Sequence, residues 1–149
     1  MNTTATHAST TPPMWYWIVS GLALVWMIVG VLAWTMDWLM DPAALEAMTE
    51  GQRQLYTSRP QWLFVVYAIA IFSGLFGAIG LLLRKAWATW MFVISLVAIV
   101  LQFGYTFMVM NAIELIGAAA AVPVPLVIVT LGALVLWLSV HAGKAGWLR

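Results

Sequence analysis

Cysteine is absent from this chain, which excludes disulfides, thiolate nucleophiles and thiolate metal sites. Charge is nearly absent too. Lys and Arg total six and Asp and Glu five in 149 residues, or 7% where a soluble domain carries about 25%. No soluble surface can be built from that, and no basic stripe exists to meet nucleic acid. Histidine occurs at His7 and His141 only, too few for a zinc site of three or four ligands. No nucleophile–base pair, phosphate loop or facing pair of carboxylates is visible. The chain is therefore expected to have no catalytic residues, metal or cofactor, and not to be an enzyme. Residues 1–13 contain no Lys or Arg, so they lack the basic start of a signal peptide. They are expected to be a disordered polar tail, with 14–149 forming a single domain.

What the chain does have is four long apolar runs: Met14 to Met36, Trp62 to Leu83, Trp87 to Met110 and Val122 to Val140. None contains Asp, Glu, Lys, Arg or His. A helix rises about 1.5 Å per residue, so roughly 20 residues cross the hydrocarbon core of a bilayer. A single charge at the centre costs about 2.5 to 3.5 kcal/mol on insertion scales, and these runs avoid it. The expected fold is all-α: a four-helix transmembrane bundle with helices at about 14–37, 61–83, 87–112 and 122–142, embedded in lipid.

The basic residues orient it. Arg84 and Lys85 fall between the second and third runs, and Lys144 and Arg149 follow the fourth. Four crossings put these residues and both termini on one side, and the positive-inside bias makes that side cytoplasmic. All five acids (Asp37, Asp41, Glu46, Glu50 and Glu114) lie on the other side. Tryptophans cluster at the run ends, at Trp15, Trp17, Trp34, Trp38, Trp62, Trp87, Trp90 and Trp147, where amphipathic rings favour the headgroup zone. Trp26 sits mid-run, where packing or lipid contact accounts for it. In the outer connection, Asp41-Pro42 reads as an N-cap followed by proline at the first helical position. Thr49-Glu50-Gly51-Gln52 has capping-box spacing. One or two short helices on the outer membrane surface are expected there, within an inner (plasma) membrane protein.

Two faces stand out. In the second run Ala70, Gly74 and Ala78 recur every fourth residue beside Gly77, and small residues at this spacing let helix backbones approach closely. In the third run Ser95, Gln102, Tyr105 and Thr106 lie near one helical face. Tyr67 and Thr130 are expected at a depth similar to Gln102. These polar groups serve either interhelical hydrogen bonding or a shallow site for a neutral solute, and the two readings differ in whether Gln102 meets a helix or water.

The segments Ala68-Ile69-Ala70-Ile71-Phe72-Ser73-Gly74 and Leu81-Leu82-Leu83-Arg84-Lys85-Ala86-Trp87-Ala88 are distinctive. With Ile94-Ser95-Leu96, Gln102, Tyr105, Asp41-Pro42 and Gly146-Trp147-Leu148, the chain resembles a group of uncharacterised small bacterial four-helix membrane proteins. Some of these carry the loose label "sugar transporter", so the resemblance implies solute transport. The residues themselves point first to a structural or accessory membrane subunit, in a homo-oligomer or a larger membrane complex. The alternative is a facilitator of a small sugar-like solute acting as an oligomer. With no acid inside a run, proton or sodium coupling has no carrier in this chain.

Topology is directly testable. A reporter active only outside the cytoplasm, fused after Arg149, should be silent, and neutralising both Arg84 and Lys85 should give mixed orientation. A strongly active fusion reverses the assignment.

Overall fold

The computed structural model describes residues 11–149, so most of the expected tail, residues 1–10, lies outside the described residues. The described chain is all helical. Four helices are long and apolar enough to cross a membrane: α1 (Met14–Trp38), α4 (Gln61–Leu82), α5 (Ala88–Met108) and α8 (Pro123–Lys144). Between α1 and α4 lie α2 (Pro42–Glu46) and α3 (Glu50–Thr57), and between α5 and α8 lie α6 (Ala112–Ile116) and α7 (Ala118–Ala121).

The long helices pack as a meander: α1 on α4, α4 on α5 and α5 on α8. Each of these three neighbours is joined by one hydrogen bond reaching across from a side chain. The Tyr16 hydroxyl donates to the Leu81 carbonyl at 2.6 Å. Ser95 Oγ donates to the Ala70 carbonyl at 2.7 Å. The hydroxyls of Thr89 and Ser139 share a bond at 2.7 Å. The outermost helices α1 and α8 have no such bond between them among the described residues.

α4 is the central member and buries Ala70, Ser73, Gly74, Gly77 and Ala78. A Cβ at Gly74 would stand 2.7 Å from Met27 Sδ and 3.1 Å from Ser95 Oγ. Gly74 is thus the point where α1 and α5 both close on α4. In α1 only Tyr16, Ser20, Ala23 and Met27 are buried, a stripe one helical face wide. The apolar remainder of α1 faces outward, as it does in a helix solvated by lipid.

The end carrying the chain termini is tightly closed. Gly146, at φ 73°, lets the chain turn back after α8. Arg149 N–H then donates to the Arg84 carbonyl at 2.6 Å, and Ala86 N–H donates to the Arg149 carbonyl at 2.9 Å. Arg84 Nε donates to the Trp147 carbonyl at 2.7 Å. The Trp147 ring meets Trp15, Tyr16 and His141 with centroids 5.5 to 5.6 Å apart, drawing α1 and α8 together at this end.

The opposite, loop end is built from caps. Asp41 accepts from Ala43 N–H at 2.9 Å to start α2. Thr49 and Gln52 form a reciprocal capping box on α3. Arg53 donates to the Leu45 and Glu46 carbonyls at 3.2 and 2.8 Å, tying α3 to the end of α2. The Tyr56 hydroxyl donates to the Asp37 carbonyl at 2.9 Å, and Arg59 forms an ion pair with the Asp37 carboxylate at 2.8 Å. α3 also packs on α6. A Cβ at Gly51 would collide with the Leu115 carbonyl oxygen, so only glycine permits that approach.

The third long helix stops at Met108 rather than running to about 112. The amides of Val109 and Met110 both turn back to the Tyr105 carbonyl. Asn111 then adopts φ 51°, a left-handed conformation that asparagine tolerates. The fourth begins at Pro123, whose missing amide costs nothing in a first turn.

Gly74→Leu should lower the melting temperature in detergent, since overpacking a closed seam costs about 1 to 3 kcal/mol. An unchanged melting profile means that this face of α4 is not tightly packed.

Candidate functional site

All four long helices contribute to one cavity of about 160 Å³ in the loop-end half of the bundle. Trp26 and Gly30 come from α1, Tyr67 from α4, Gln102 and Phe103 from α5, and Gly132 from α8. Most of the lining is apolar, and polar groups come from Tyr67, Ser95 and Gln102. That volume matches the engineered cavity of about 150 Å³ that holds a benzene ring.

Three of the six polar residues singled out in the sequence meet here, and they differ in what they already hold. Ser95 spends its hydroxyl on the Ala70 carbonyl. Gln102 and Tyr67 are half-buried, and neither side chain has a hydrogen-bond partner among the described residues. The Gln102 amide brings two donors and an acceptor, and the Tyr67 hydroxyl one donor and an acceptor. In so apolar a space these are the groups that a ligand or water would meet.

The other three are not on the cavity. Thr106 donates to the Gln102 carbonyl at 2.9 Å, and Thr130, exposed, donates to the Leu126 carbonyl at 2.7 Å. Both follow the habit of helical threonine of bonding one turn back. Tyr105 packs its ring edge-on against Trp62, with centroids 4.9 Å apart.

The packing residues seal the cavity toward the terminal end. Below it, Gly74 meets Met27 and Ser95, and a Cβ at Gly77 would stand 2.9 Å from the Phe92 ring. Ala78 and Leu81 continue the closed core with Tyr16, Leu138 and Ala142. Toward the loop end, Gln102 and Phe103 also line a second pocket of about 530 Å³ under α3, with Gln52, Tyr56, Arg59 and Thr106.

Sequence reasoning missed Trp26, Gly30, Phe103 and Gly132 as lining residues. For two of them a signal existed. Gly30 and Gly132 are isolated glycines inside bulky apolar helices, where glycine costs about 1 kcal/mol against alanine. A Cβ at Gly30 would lie 2.8 Å from Ile71 Cδ1. Phe103 and Trp26 carried no signal that set them apart from lipid-facing aromatics.

No protein-family model, no curated protein and no solved structure matches this chain. Four apolar helices make it a candidate small multi-pass membrane protein.

Bond inventory separates the two polar residues that α5 brings to the cavity. Ser95→Ala should lower stability by about 0.6 kcal/mol, the mean for an interhelical bond in a membrane protein. Gln102→Leu should leave the melting temperature unchanged or raised, because the amide it removes has no protein partner. Destabilisation by Gln102→Leu comparable to that of Ser95→Ala would mean that Gln102 joins helices.

Proposed function

We propose that this chain is a non-enzymatic, multi-pass protein of the inner (plasma) membrane that binds a small neutral molecule in the outer half of its bundle. The observation that carries the reading is the pair of unpartnered polar groups, Gln102 and Tyr67, on an otherwise apolar cavity shared by all four long helices. Ligand sites are typically concave and mainly apolar, with a few convergent polar groups. A subunit that served only to pack would gain by pairing these groups with a neighbouring helix, as Ser95 is paired.

In this reading the terminal end, with Arg84, Lys85, Lys144 and Arg149, faces the cytoplasm, and α2 and α3 lie along the outer surface. The positive-inside bias supports that orientation. The capped, amphipathic build of α3 supports its surface position, with Leu55 and Tyr56 turned toward the bundle and Glu50 and Gln54 exposed.

A binding role fits better than a conduit for sugars. The cavity closes at Met27, Gly74 and Phe92 toward the terminal end. Its size suits one ring or one chain segment, and a hexose needs polar partners on every side where this lining has few. The role is that of an accessory membrane protein, working in a homo-oligomer or a larger complex, whose bundle carries a ligand.

The native chain lacks cysteine, so a single reporter thiol tests the site. Gln102→Cys should react rapidly with a small membrane-impermeant thiol reagent applied from outside. Complete protection, in a protein still inserted and folded, overturns the site.

A further inference from the structure

The central cavity is the middle of three adjoining spaces, and their polarity changes in one direction. On one side lies a cleft of about 450 Å³ between α1 and α8. Trp26 and Val29 line both the cleft and the cavity. The remaining cleft walls, among them Val19, Leu22, Leu131 and Leu134, are apolar. On the other side, Gln102 and Phe103 are shared with the pocket under α3, where Gln52, Tyr56 and Thr106 add polar groups. Apolar cleft, cavity with two free polar groups and polar surface pocket follow one another.

We propose that the ligand of this site is a single-chain neutral amphiphile drawn laterally from the bilayer. Its hydroxyl or carbonyl head lies at Gln102 and Tyr67, and its hydrocarbon tail leaves between α1 and α8. This inference rests on the binding function proposed above and names its ligand class.

Four observations carry it. First, the meander leaves α1 and α8 as unjoined ends: they converge on the aromatic cluster at Trp147, but no interhelical hydrogen bond closes them at mid-depth. A cleft there opens to lipid, not to water. Second, the depth of the polar groups suits a head. Tyr67 is six residues inside α4, counted from Gln61, and Gln102 six residues inside α5, counted from Met108. Each is therefore about 9 Å below the loop end of its helix, and an acyl chain descending from that level stays within hydrocarbon. Third, the cleft has the length for a long tail, since Val19 to Val29 covers about 15 Å along α1. The cavity at its mouth has room for one chain, not two. Fourth, the head is neutral. Arg59 is the charged residue on the pocket under α3, and its guanidinium is already paired with Asp37 at 2.8 Å while lying over the Tyr56 ring at 4.9 Å. The free groups are an amide and a phenol, which pair with hydroxyls and carbonyls.

The test uses the full chain in dioleoylphosphatidylcholine nanodiscs and a monoacylglycerol carrying a photoreactive diazirine midway along an eighteen-carbon chain, a probe length of about the cleft dimension plus the cavity. Adducts should map to the Trp26–Val29 and Leu131–Leu134 stretches. Excess monooleoylglycerol should compete them away, reducing them roughly tenfold at ten times its dissociation constant by simple occupancy. Excess glycerol or methyl glucoside should not. The competable adducts should be lost in the double variant Gln102→Leu with Tyr67→Phe. They should also be lost when either cleft wall is filled, by Val29→Trp or, from the opposite helix, by Leu131→Trp. Both positions face the cleft, so neither substitution needs the packed seam to move.

Non-competable adducts spread over all lipid-facing helices would overturn the inference, because that is the pattern of ordinary surrounding lipid. Competition by glycerol equal to that by monooleoylglycerol would overturn it as well. So would an efficient disulfide between two copies bearing Val29→Cys, which would show the cleft filled by a second chain. In each case rapid thiol labelling of Gln102→Cys still upholds the binding site itself, and only loss of that labelling removes both.

Discussion

Helices in a bilayer have hydrocarbon on both sides of any contact, so association there depends on how closely backbones can approach and on the few hydrogen bonds that close approach permits. In this chain α4 supplies that approach. Gly74 admits Met27 from α1 and Ser95 from α5 to the same point, and Gly77 admits the Phe92 ring. Once α1 and α5 are seated there, Ser95 reaches the Ala70 carbonyl and Tyr16 reaches the Leu81 carbonyl. α8 adds to the free side of α5 and completes the meander.

The same constraint makes the cavity. Close packing near the terminal end is sustained by small residues on α4, but further along that helix Tyr67 and Ile71 stand where the seam would otherwise continue. Ile71 packs closely on Gly30 of α1, and beside these larger side chains a space remains that Gln102 faces without a partner. The loop carrying α2 and α3 then sits over that end. Its caps, the Arg53 bonds to α2 and the Arg59–Asp37 pair hold α3 beside α5, so at that end the space leads to a polar pocket.

Polar side chains inside the four long helices therefore divide by what they hold. Ser73, Thr106 and Thr130 bond their own helix. Tyr16, Ser95, Thr89 and Ser139 bond a neighbour. Among the described residues, Ser20 Oγ and Trp34 Nε1 are buried without a partner and off the cavity, whereas Gln102 and Tyr67 hold none and face the shared cavity. That difference in what they hold, and not polarity alone, is what the proposed binding role rests on.

The sequence by itself determined the number and the approximate placement of the apolar helices, because a charge within lipid is costly enough to leave uninterrupted runs. It also determined the caps of α2 and α3, since capping is a local bond between residues two or three apart. The tertiary structure alone decided which polar residues share a space. Ser95, Gln102, Tyr105 and Thr106 look alike on a helical wheel, yet one bonds α4, one bonds its own turn, one meets the Trp62 ring edge-on and one has a side chain without a hydrogen-bond partner. That division depends on the rotation and separation of neighbouring helices, which are set by contacts at Gly74 and Ile71 far along the chain. The early end of α5 at Met108, ahead of the left-handed Asn111, was also beyond the sequence pattern, because a backbone turn leaves no mark on hydropathy. The cleft between α1 and α8 was equally invisible. It arises from a contact that these two helices do not make, and a missing contact between distant segments has no local sequence signature.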